Sequence, residues 1–249
     1  MANVWLYSLV SVILVSLLSL IGVLTLSLRS DQLKKCLIYM ISFSAGGLFG
    51  DAFLHLLPEI VELHGFSLTI SLSLLLGIIF SFVVEKIIHW RHCHHPTTED
   101  HPHPFAKMNL VGDTVHNFID GIIIAGSYLV SIPVGIATTI AVVFHEIPQE
   151  IGDFGVLLYG GYTKNKALFV NFLTALAAIL GAVIALVLSS SVEQLAMFIV
   201  PFAAGNFIYI AGADLIPEIH KEVELSKSIM QGITFILGVL VMLGLLFLS

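Results

Sequence analysis

Long apolar stretches run along this chain, and short polar segments separate them. Eight of these stretches reach the length of about 20 residues that a helix needs to cross a bilayer. We name them spans 1 to 8, and together they predict a single polytopic membrane domain over residues 1–249. They cover residues of about 3–28, 36–61, 66–88, 109–130, 133–159, 166–188, 194–218 and 229–248.

The overall composition supports this interpretation. Hydrophobic residues make up 57% of the chain and charged residues only 11%, whereas soluble domains carry about 25% charged residues. The net charge of −7 gives no support to nucleic-acid binding. Two cysteines, Cys36 and Cys93, are too few for a disulfide framework. The sequence therefore predicts an all-α integral membrane protein in contact with the lipid bilayer.

The basic residues predict the orientation. All ten Lys and Arg residues lie in or beside four connections, which follow spans 1, 3, 5 and 7. On an eight-span path these connections share one side, and a seven-span path would scatter them over both sides. Because positive residues favour the cytoplasmic side, we expect both termini outside. No Lys or Arg precedes span 1, so it is interpreted as a membrane span and not as a signal peptide. The expected location is the plasma (inner) membrane.

An internal repeat relates span 2 to span 7. After a shift of 159 residues, at least seven positions are identical. Since span 2 would run outward and span 7 inward, the repeat is inverted, as in many secondary transporters. We therefore expect a 3+2+3 arrangement, with spans 1–3 and 6–8 as the two repeats. The residues that match are Phe43, Ala45, Gly46, Leu56, Pro58, Glu59 and Ile60 with Phe202, Ala204, Gly205, Leu215, Pro217, Glu218 and Ile219.

A histidine-rich connection, residues 89–107, joins spans 3 and 4 on the predicted cytoplasmic side. Six of the eleven histidines lie between His89 and Pro104. The prolines and charges there disfavour a folded core, while histidine-rich tracts often bind metal. A solvated linker and a metal-binding segment are both open interpretations.

Spans 4 and 5 each carry one polar stripe. At 100° per residue, the stripes occupy arcs of about 100° and about 140°. In lipid such stripes must face protein or a water-filled path. Because consecutive spans are antiparallel, the two stripes can face each other. The stripe on span 4 consists of Asp113, His116, Asn117 and Asp120, and the stripe on span 5 of His145, Glu146, Gln149, Glu150 and Asp153.

These side chains are typical metal ligands. Imidazole, carboxylate and amide groups without thiolate suit Zn²⁺ and other first-row ions. His116 with Asp120, and His145 with Gln149, are spaced i, i+4 and can converge on one ion. The alternative is that the stripes only hold the helices together. Spans 2 and 7 carry further polar residues that could line routes to the site, namely Asp51, His55, Glu59, Asn206, Asp214 and Glu218.

Two segments resemble the paired signatures of the ZIP (ZRT/IRT-like) divalent-metal transporters. They are His-Asn-Phe-Ile-Asp-Gly at 116–121 and His-Glu-Ile-Pro-Gln-Glu-Ile-Gly-Asp-Phe at 145–154. Residues 50–58, 171–176 and 204–209 are similar to helices 2, 6 and 7 of that family. The resemblance implies eight helices in a 3+2+3 arrangement with both termini outside, a site for one or two metal ions on helices 4 and 5, and metal movement into the cytosol.

The resemblance also implies roles for individual residues. His116, Asn117 and Asp120 match the ligands on helix 4, while Glu146 and Gln149 occupy ligand positions on helix 5. This sequence departs from the family at Gln149, where one branch has histidine and others have glutamate. The complete set of candidate metal ligands is His116, Asn117, Asp120, His145, Glu146, Gln149, Glu150 and Asn171.

The expected function is transport of a divalent metal ion, most simply Zn²⁺, with Fe²⁺, Mn²⁺ and Cd²⁺ as other candidates. Neither an enzymatic activity nor a cofactor is expected, and a homodimer is compatible with the sequence. One alternative is an intramembrane zinc protease, because residues 145–149 differ from His-Glu-x-x-His only at Gln149. A metal sensor without transport is the other, although the chain has no soluble output domain.

Overall fold

The computed structural model describes residues 2–21, 30–92, 103–189 and 192–247. Within these ranges the protein is helical, without strands. Two π-helical turns, π1 and π2, interrupt the α-helices. In chain order the elements are α1 (Ala2–Leu18), α2 (Ser30–Gly50), π1 (Asp51–Leu56), α3 (Leu57–His64), α4 (Leu68–His92), α5 (Pro104–Val130), α6 (Ile132–Tyr159), α7 (Lys164–Ala175), α8 (Ala177–Val187), α9 (Val192–Tyr209), π2 (Ile210–Leu215), α10 (Ile216–Ile219) and α11 (Leu225–Leu245).

Seven helical segments in the described ranges are long and apolar enough to cross a membrane. They correspond to all the predicted spans except span 4, and they make the chain an integral, multi-pass membrane protein. Span 4 corresponds to α5, which is 27 residues long. A helix of this length reaches across a bilayer, but its polar stripe makes α5 less apolar than the other spans.

The helix bounds differ from the sequence expectation at one connection and within one span. The histidine-rich connection is shorter than residues 89–107, because α4 continues to His92 and α5 begins at Pro104. Residues 93–102 of this connection, with Cys93, lie outside the described ranges. Span 6 is divided into α7 and α8 by a local interruption at Leu176, and the two together form one segment of 24 residues.

A single residue, Ser131, joins α5 to α6. Its backbone is extended, with φ −165° and ψ 158°, and its side chain accepts a hydrogen bond from the Val134 amide, which caps the start of α6. With so short a connection the two helices pack side by side and antiparallel. Asn109 contacts Asp153, and His116 contacts Glu146. The two polar stripes therefore face each other, as the pattern predicts.

Helix α5 also crosses α8 at close backbone contact. A Cβ atom added at Gly121 would lie 1.9 Å from the carbonyl oxygen of Ala178, and one added at Gly181 would lie 1.9 Å from that of Phe118. Only glycine fits at both positions. This close crossing holds the apolar face of α5 against α8, so that the polar stripe of α5 points away from α8.

Both π-helical turns precede a proline. Pro58 follows π1 and Pro217 follows π2. A proline removes a backbone N–H and clashes with the carbonyl four residues earlier, and a wider turn relieves that clash. The Leu57 amide bonds the Ala52 carbonyl, and the Ile216 amide bonds the Ala211 carbonyl, each five residues back.

The largest apolar core joins α2, α5, α6 and α9 through buried residues such as Ile41, Ile119, Phe154 and Phe207. The outer helices α4 and α11 instead expose apolar side chains, including Leu72 and Leu240. Exposed leucines of this kind are expected where the surroundings are lipid. The polar stripes of α5 and α6 thus lie at the centre of the bundle, away from the apolar surface.

We expect Gly181→Ala to destabilise the protein, because its methyl group would press on the backbone of α5. Overpacking of this kind lowers the free energy of unfolding by about 1–3 kcal/mol. The matched control is Gly232→Ala in α11, where an added Cβ meets nothing within 4 Å. Thermal unfolding in detergent should show a lower midpoint for Gly181→Ala and an unchanged or higher one for Gly232→Ala. Equal midpoints would contradict the close crossing.

Candidate metal site

The polar residues on the facing stripes of α5 and α6 are buried. His116 is 2% exposed and Glu146 is 1% exposed. Burying charged groups away from water is costly unless partners compensate for them. The contacts between these side chains therefore determine what the site can bind.

Three of them, His116, Asp120 and Glu146, form a compact group that we call the histidine cluster. One ligand atom from each lies within 4.8 Å of the others. Nε2 of His116 is 3.0 Å from Oε1 of Glu146 and 3.5 Å from Oδ2 of Asp120. Asp120 is one helical turn beyond His116, and the α5–α6 hairpin brings Glu146 to both. One nitrogen and two carboxylates at this spacing can converge on a single cation.

Two residues from outside the hairpin hold the imidazole of His116 in place. Oδ2 of Asp51, the first residue of π1, lies 3.9 Å from Nδ1 of the imidazole. The ring of Phe207 on α9 packs against it with a centroid separation of 5.0 Å. A carboxylate near one ring nitrogen favours a ring orientation in which the other nitrogen faces the ligand position. Here Nε2 is the nitrogen that faces Asp120 and Glu146.

Three further buried residues, Asn117, Glu150 and Asn171, each have one side-chain oxygen without a hydrogen bond to any described residue, and we call them the oxygen triad. Each of the three is at most 1% exposed. The Asn171 amide donates to Oε2 of Glu150 and, over 3.3 Å, to the backbone carbonyl of Ser19. In the part of the chain that the structure describes, one side-chain oxygen of each residue accepts no hydrogen bond. These oxygens are suitable ligands for a cation.

Gln149 lies one turn beyond Glu146 and is 8% exposed. Neither its amide oxygen nor its amide nitrogen has a hydrogen-bond partner among the described residues. The side chain borders a small cavity that runs beside His116 between α2, α5, α6, α9 and π2. Leu48, Asn109, Gly112, Asp113, His116, Gln149, Asp153, Phe207 and Ile210 line this cavity.

Neutral side chains orient the two carboxylates of the cavity. Asp113 accepts hydrogen bonds from Asn117 at 2.7 Å and from Thr174 at 2.5 Å. Asp153 accepts one from Asn109 at 2.9 Å. These donors supply direction without positive charge, so each carboxylate can still interact with a cation.

The candidate ligands predicted from the sequence thus occupy three places in the structure, apart from His145. His116, Asp120 and Glu146 meet in the histidine cluster, whereas Gln149 borders the cavity beside it. The side chain of His145 lies outside what the structure describes, and only its place within α6 is given. Asn117, Glu150 and Asn171 form the oxygen triad. The role of all eight as metal ligands stays a prediction.

Sequence reasoning missed several contacts of the site. It placed Asp51 on an access route, whereas the structure brings Asp51 to His116. Asn109 lies in the same 100° arc as the stripe of α5, so extending the helical projection by one turn would have included it. Thr174 follows Asn171 by three residues on α7, so the two side chains lie on the same face of that helix. This spacing could have identified Thr174. Nothing in the sequence marks Phe207 as a neighbour of His116.

Comparison with known proteins identifies the family. The profile of the ZIP zinc transporter family matches residues 2–108 and 103–246. Zinc transporter ZIP13 of Pongo abelii is 32% identical over 260 residues, which cover 96% of this chain and 78% of that protein. Zinc transporter ZIP13 of Mus musculus is 31% identical, covering 96% and 80% of the two chains.

A third relative, from another animal, is also a zinc transporter. Zinc transporter zipt-7.1 of Caenorhabditis briggsae is 30% identical and covers 95% of this chain and 78% of its own length. The matches include both signature segments, and the histidine cluster is built from those segments. The resemblance seen in the sequence is thereby confirmed, and this chain belongs to the ZIP zinc transporter family.

Proposed function

We propose that this protein carries Zn²⁺ across its membrane into the cytosol and that the histidine cluster binds the ion during passage. The observation that carries this proposal is the buried convergence of His116, Asp120 and Glu146 within 4.8 Å. Imidazole nitrogen and carboxylate oxygen are usual zinc ligands, and three protein ligands leave a fourth position open. An open position lets a transported ion exchange its ligands.

Electrostatics supports a cation as the substrate. The cluster holds two carboxylates beside one imidazole, and Asp51 adds a third carboxylate on the other side of the ring. A divalent ion offsets this negative charge where water cannot. The same ligand types also accept Fe²⁺, Mn²⁺ and Cd²⁺, so zinc selectivity depends on the number of nitrogen ligands.

The oxygen triad is the candidate position for a second ion. It offers oxygen alone, from one carboxylate and two amides, and such ligands hold zinc less firmly than imidazole does. Asn171 lies on α7, donates to Glu150, and contacts the Ser19 carbonyl just after the end of α1. We assign the first ion to the histidine cluster and any second ion to the oxygen triad.

We infer that α5 is the eighth span and that the chain has an inverted repeat. The 27-residue length of α5 supports the eighth span, and three observations support the repeat. The turn π2 follows π1 by 159 residues, which is the shift that aligns span 2 with span 7. An added Cβ at Gly46 would lie 2.0 Å from the Phe235 carbonyl oxygen in α11. At the equivalent position Gly205 it would lie 2.1 Å from the Leu74 carbonyl oxygen in α4.

The protease alternative has no support. The family and the relatives are transporters and not enzymes. A protease of the His-Glu-x-x-His type needs both histidines as zinc ligands and the glutamate as a base. Here Gln149 replaces the second histidine, and Glu146 contacts His116 of another helix. Metal binding by the histidine-rich connection, the plasma membrane location and the homodimer stay predictions.

Uptake into proteoliposomes tests the proposed function. Wild-type protein should accumulate Zn²⁺, and Glu146→Gln should lower the uptake by more than about tenfold, because it removes a charged ligand. The control is Glu224→Gln at the exposed residue before α11, which should transport normally. Normal uptake by Glu146→Gln would place the zinc site elsewhere, and imposed zinc, proton and voltage gradients would identify the driving force.

Gln149→His should tighten zinc binding by about tenfold, or roughly 1.4 kcal/mol, because imidazole is a stronger zinc ligand than an amide oxygen. Imidazole suits zinc better than manganese, so the variant should also favour Zn²⁺ over Mn²⁺. Competitive uptake of the two ions by wild type and variant measures both effects. If selectivity and half-saturation are unchanged, residue 149 does not touch the transported ion.

Impermeant maleimide labelling tests the predicted orientation. Asn3→Cys and Ser249→Cys, in a chain without its two native cysteines, should both react from outside the cell. Native Cys36 is exposed at the protein surface and lies on the predicted cytoplasmic side. In a separate chain that keeps Cys36 as its one cysteine, this residue should react only after the membrane is opened. Labelling at a single terminus would contradict the even number of spans.

A further inference from the structure

Asp113 lies in the polar stripe of α5, but it is not one of the eight candidate ligands. It is 6% exposed, and both of its carboxylate oxygens accept hydrogen bonds. Oδ1 accepts from the Asn117 amide at 2.7 Å, and Oδ2 accepts from the Thr174 hydroxyl at 2.5 Å. Asp113 therefore joins a candidate ligand on α5 to a hydroxyl on α7.

The contacts of Asn117 allow a single orientation of its side-chain amide. Its nitrogen Nδ2 donates to Oδ1 of Asp113 and, at 3.0 Å, to the backbone carbonyl oxygen of Asp113. A backbone carbonyl and a carboxylate both accept hydrogen bonds, and an amide donates only from its nitrogen. If the amide were turned over, its oxygen would face two other oxygens. Asp113 thus directs the oxygen of the Asn117 amide away from itself.

This orientation leaves the Asn117 amide oxygen available to a cation. The oxygen is buried and accepts no hydrogen bond within the described ranges. A buried acceptor without a partner is costly in free energy, and a bound cation would offset that cost. A turned amide would present its NH₂ group instead, which cannot bind a cation. The orientation of the amide therefore decides whether residue 117 can serve as a metal ligand.

Thr174 holds the Asp113 carboxylate from the other side. Its hydroxyl has one hydrogen, and the backbone carbonyls of Val170 and Asn171 are also near it, at 3.3 and 2.7 Å. A hydrogen bond to a carboxylate is stronger than one to a neutral carbonyl, so the hydrogen points to Asp113. Asn171 lies three residues before Thr174, on the same face of α7. The bond from Thr174 therefore fixes α5 to α7 beside both asparagines of the oxygen triad.

We propose that Asp113 and Thr174 are positioning residues, which hold the Asn117 amide so that its oxygen and not its nitrogen is available to the transported ion. This proposal rests on the proposed function, in which Asn117 is a candidate ligand. Neither positioning residue touches the ion. Both act through Asn117, in the way that hydrogen-bond partners of metal ligands orient those ligands.

A zinc titration of the full-length protein in detergent, in the presence of a competing chelator, tests the role of Asp113. Asn117→Ala identifies the binding step that uses this amide. Asp113→Asn removes the charge that holds the amide and adds a donor that can bond the Asn117 oxygen, so it should weaken the same step by about tenfold or more. In an Asn117→Ala chain, Asp113→Asn should weaken binding by about threefold or less, from the lost charge alone.

Two outcomes of this titration would overturn the proposal. Equal weakening by Asp113→Asn in both chains would mean that Asp113 acts on the ion directly and not through Asn117. An Asn117→Ala chain that binds zinc like the wild type would mean that no binding step uses the amide.

A second pair of variants keeps the test decisive if Asp113→Asn does not fold. Thr174→Val removes the hydroxyl but keeps the shape of the side chain, and it should weaken the same step by about threefold or more. Thr174→Ser keeps the hydroxyl and should bind zinc like the wild type. Equal zinc affinities of these two variants would contradict a positioning role for Thr174.

Thr234→Val in α11 is the matched control for Thr174→Val. The Thr234 hydroxyl bonds the carbonyls three and four residues earlier, as the Thr174 hydroxyl does, but in the ranges described it bonds no carboxylate. Thr234→Val should leave zinc affinity unaltered. If Thr174→Val lowers the thermal midpoint and leaves zinc affinity unchanged, Thr174 only packs the helices, and the proposal is wrong.

Uptake into proteoliposomes separates this proposal from the proposed function. Asp113→Asn should raise the Zn²⁺ concentration at half-saturation by about fivefold or more, because a ligand of the ion is no longer held in place. An unchanged half-saturation would refute the positioning role alone. Wild type that takes up no zinc would refute the proposed function alone, since the titrations still decide how Asp113 acts.

Discussion

The contact between His116 and Glu146 across the α5–α6 hairpin is the constraint on which the rest of the structure depends. A carboxylate in the middle of a membrane protein must have a partner, because burying its charge without one is very costly in free energy. Two consecutive helices can meet this demand only if their polar faces are in register. The one-residue connection at Ser131 sets that register, and the glycine crossing between α5 and α8 turns the stripe of α5 towards α6.

The two groups of polar side chains differ in ligand chemistry. The histidine cluster contains nitrogen, whereas the oxygen triad offers only oxygen ligands. Because zinc prefers nitrogen to neutral oxygen ligands, we expect tighter zinc binding at the histidine cluster than at the oxygen triad. Such a difference lets a transporter hold its ion selectively and still release it.

The two π-helical turns connect the bundle to this chemistry. Asp51 begins π1 and contacts His116, while Ile210 begins π2 and borders the cavity. Wide turns of this type occur often at functional sites, and here the prolines that follow explain why they form. Elsewhere polar residues of the same spans join helices to one another. His55 bonds the Met242 carbonyl at 2.8 Å, and Asn206 accepts from Ser81 at 2.5 Å.

The sequence by itself determined the membrane class, nearly all the helices, and the residue types that face each other on α5 and α6. Hydrophobic length and helical period are local properties, so one chain reveals them without any tertiary contact. Only the tertiary structure decided that Asp51 and Phe207 adjoin His116 and that Leu176 interrupts the helix of span 6. It also decided that Gln149 faces a cavity and has no hydrogen-bond partner among the described residues. Periodicity shows which face of a helix is polar. It contains no information on which distant residue packs against that face, because that depends on how all the helices fill the same space.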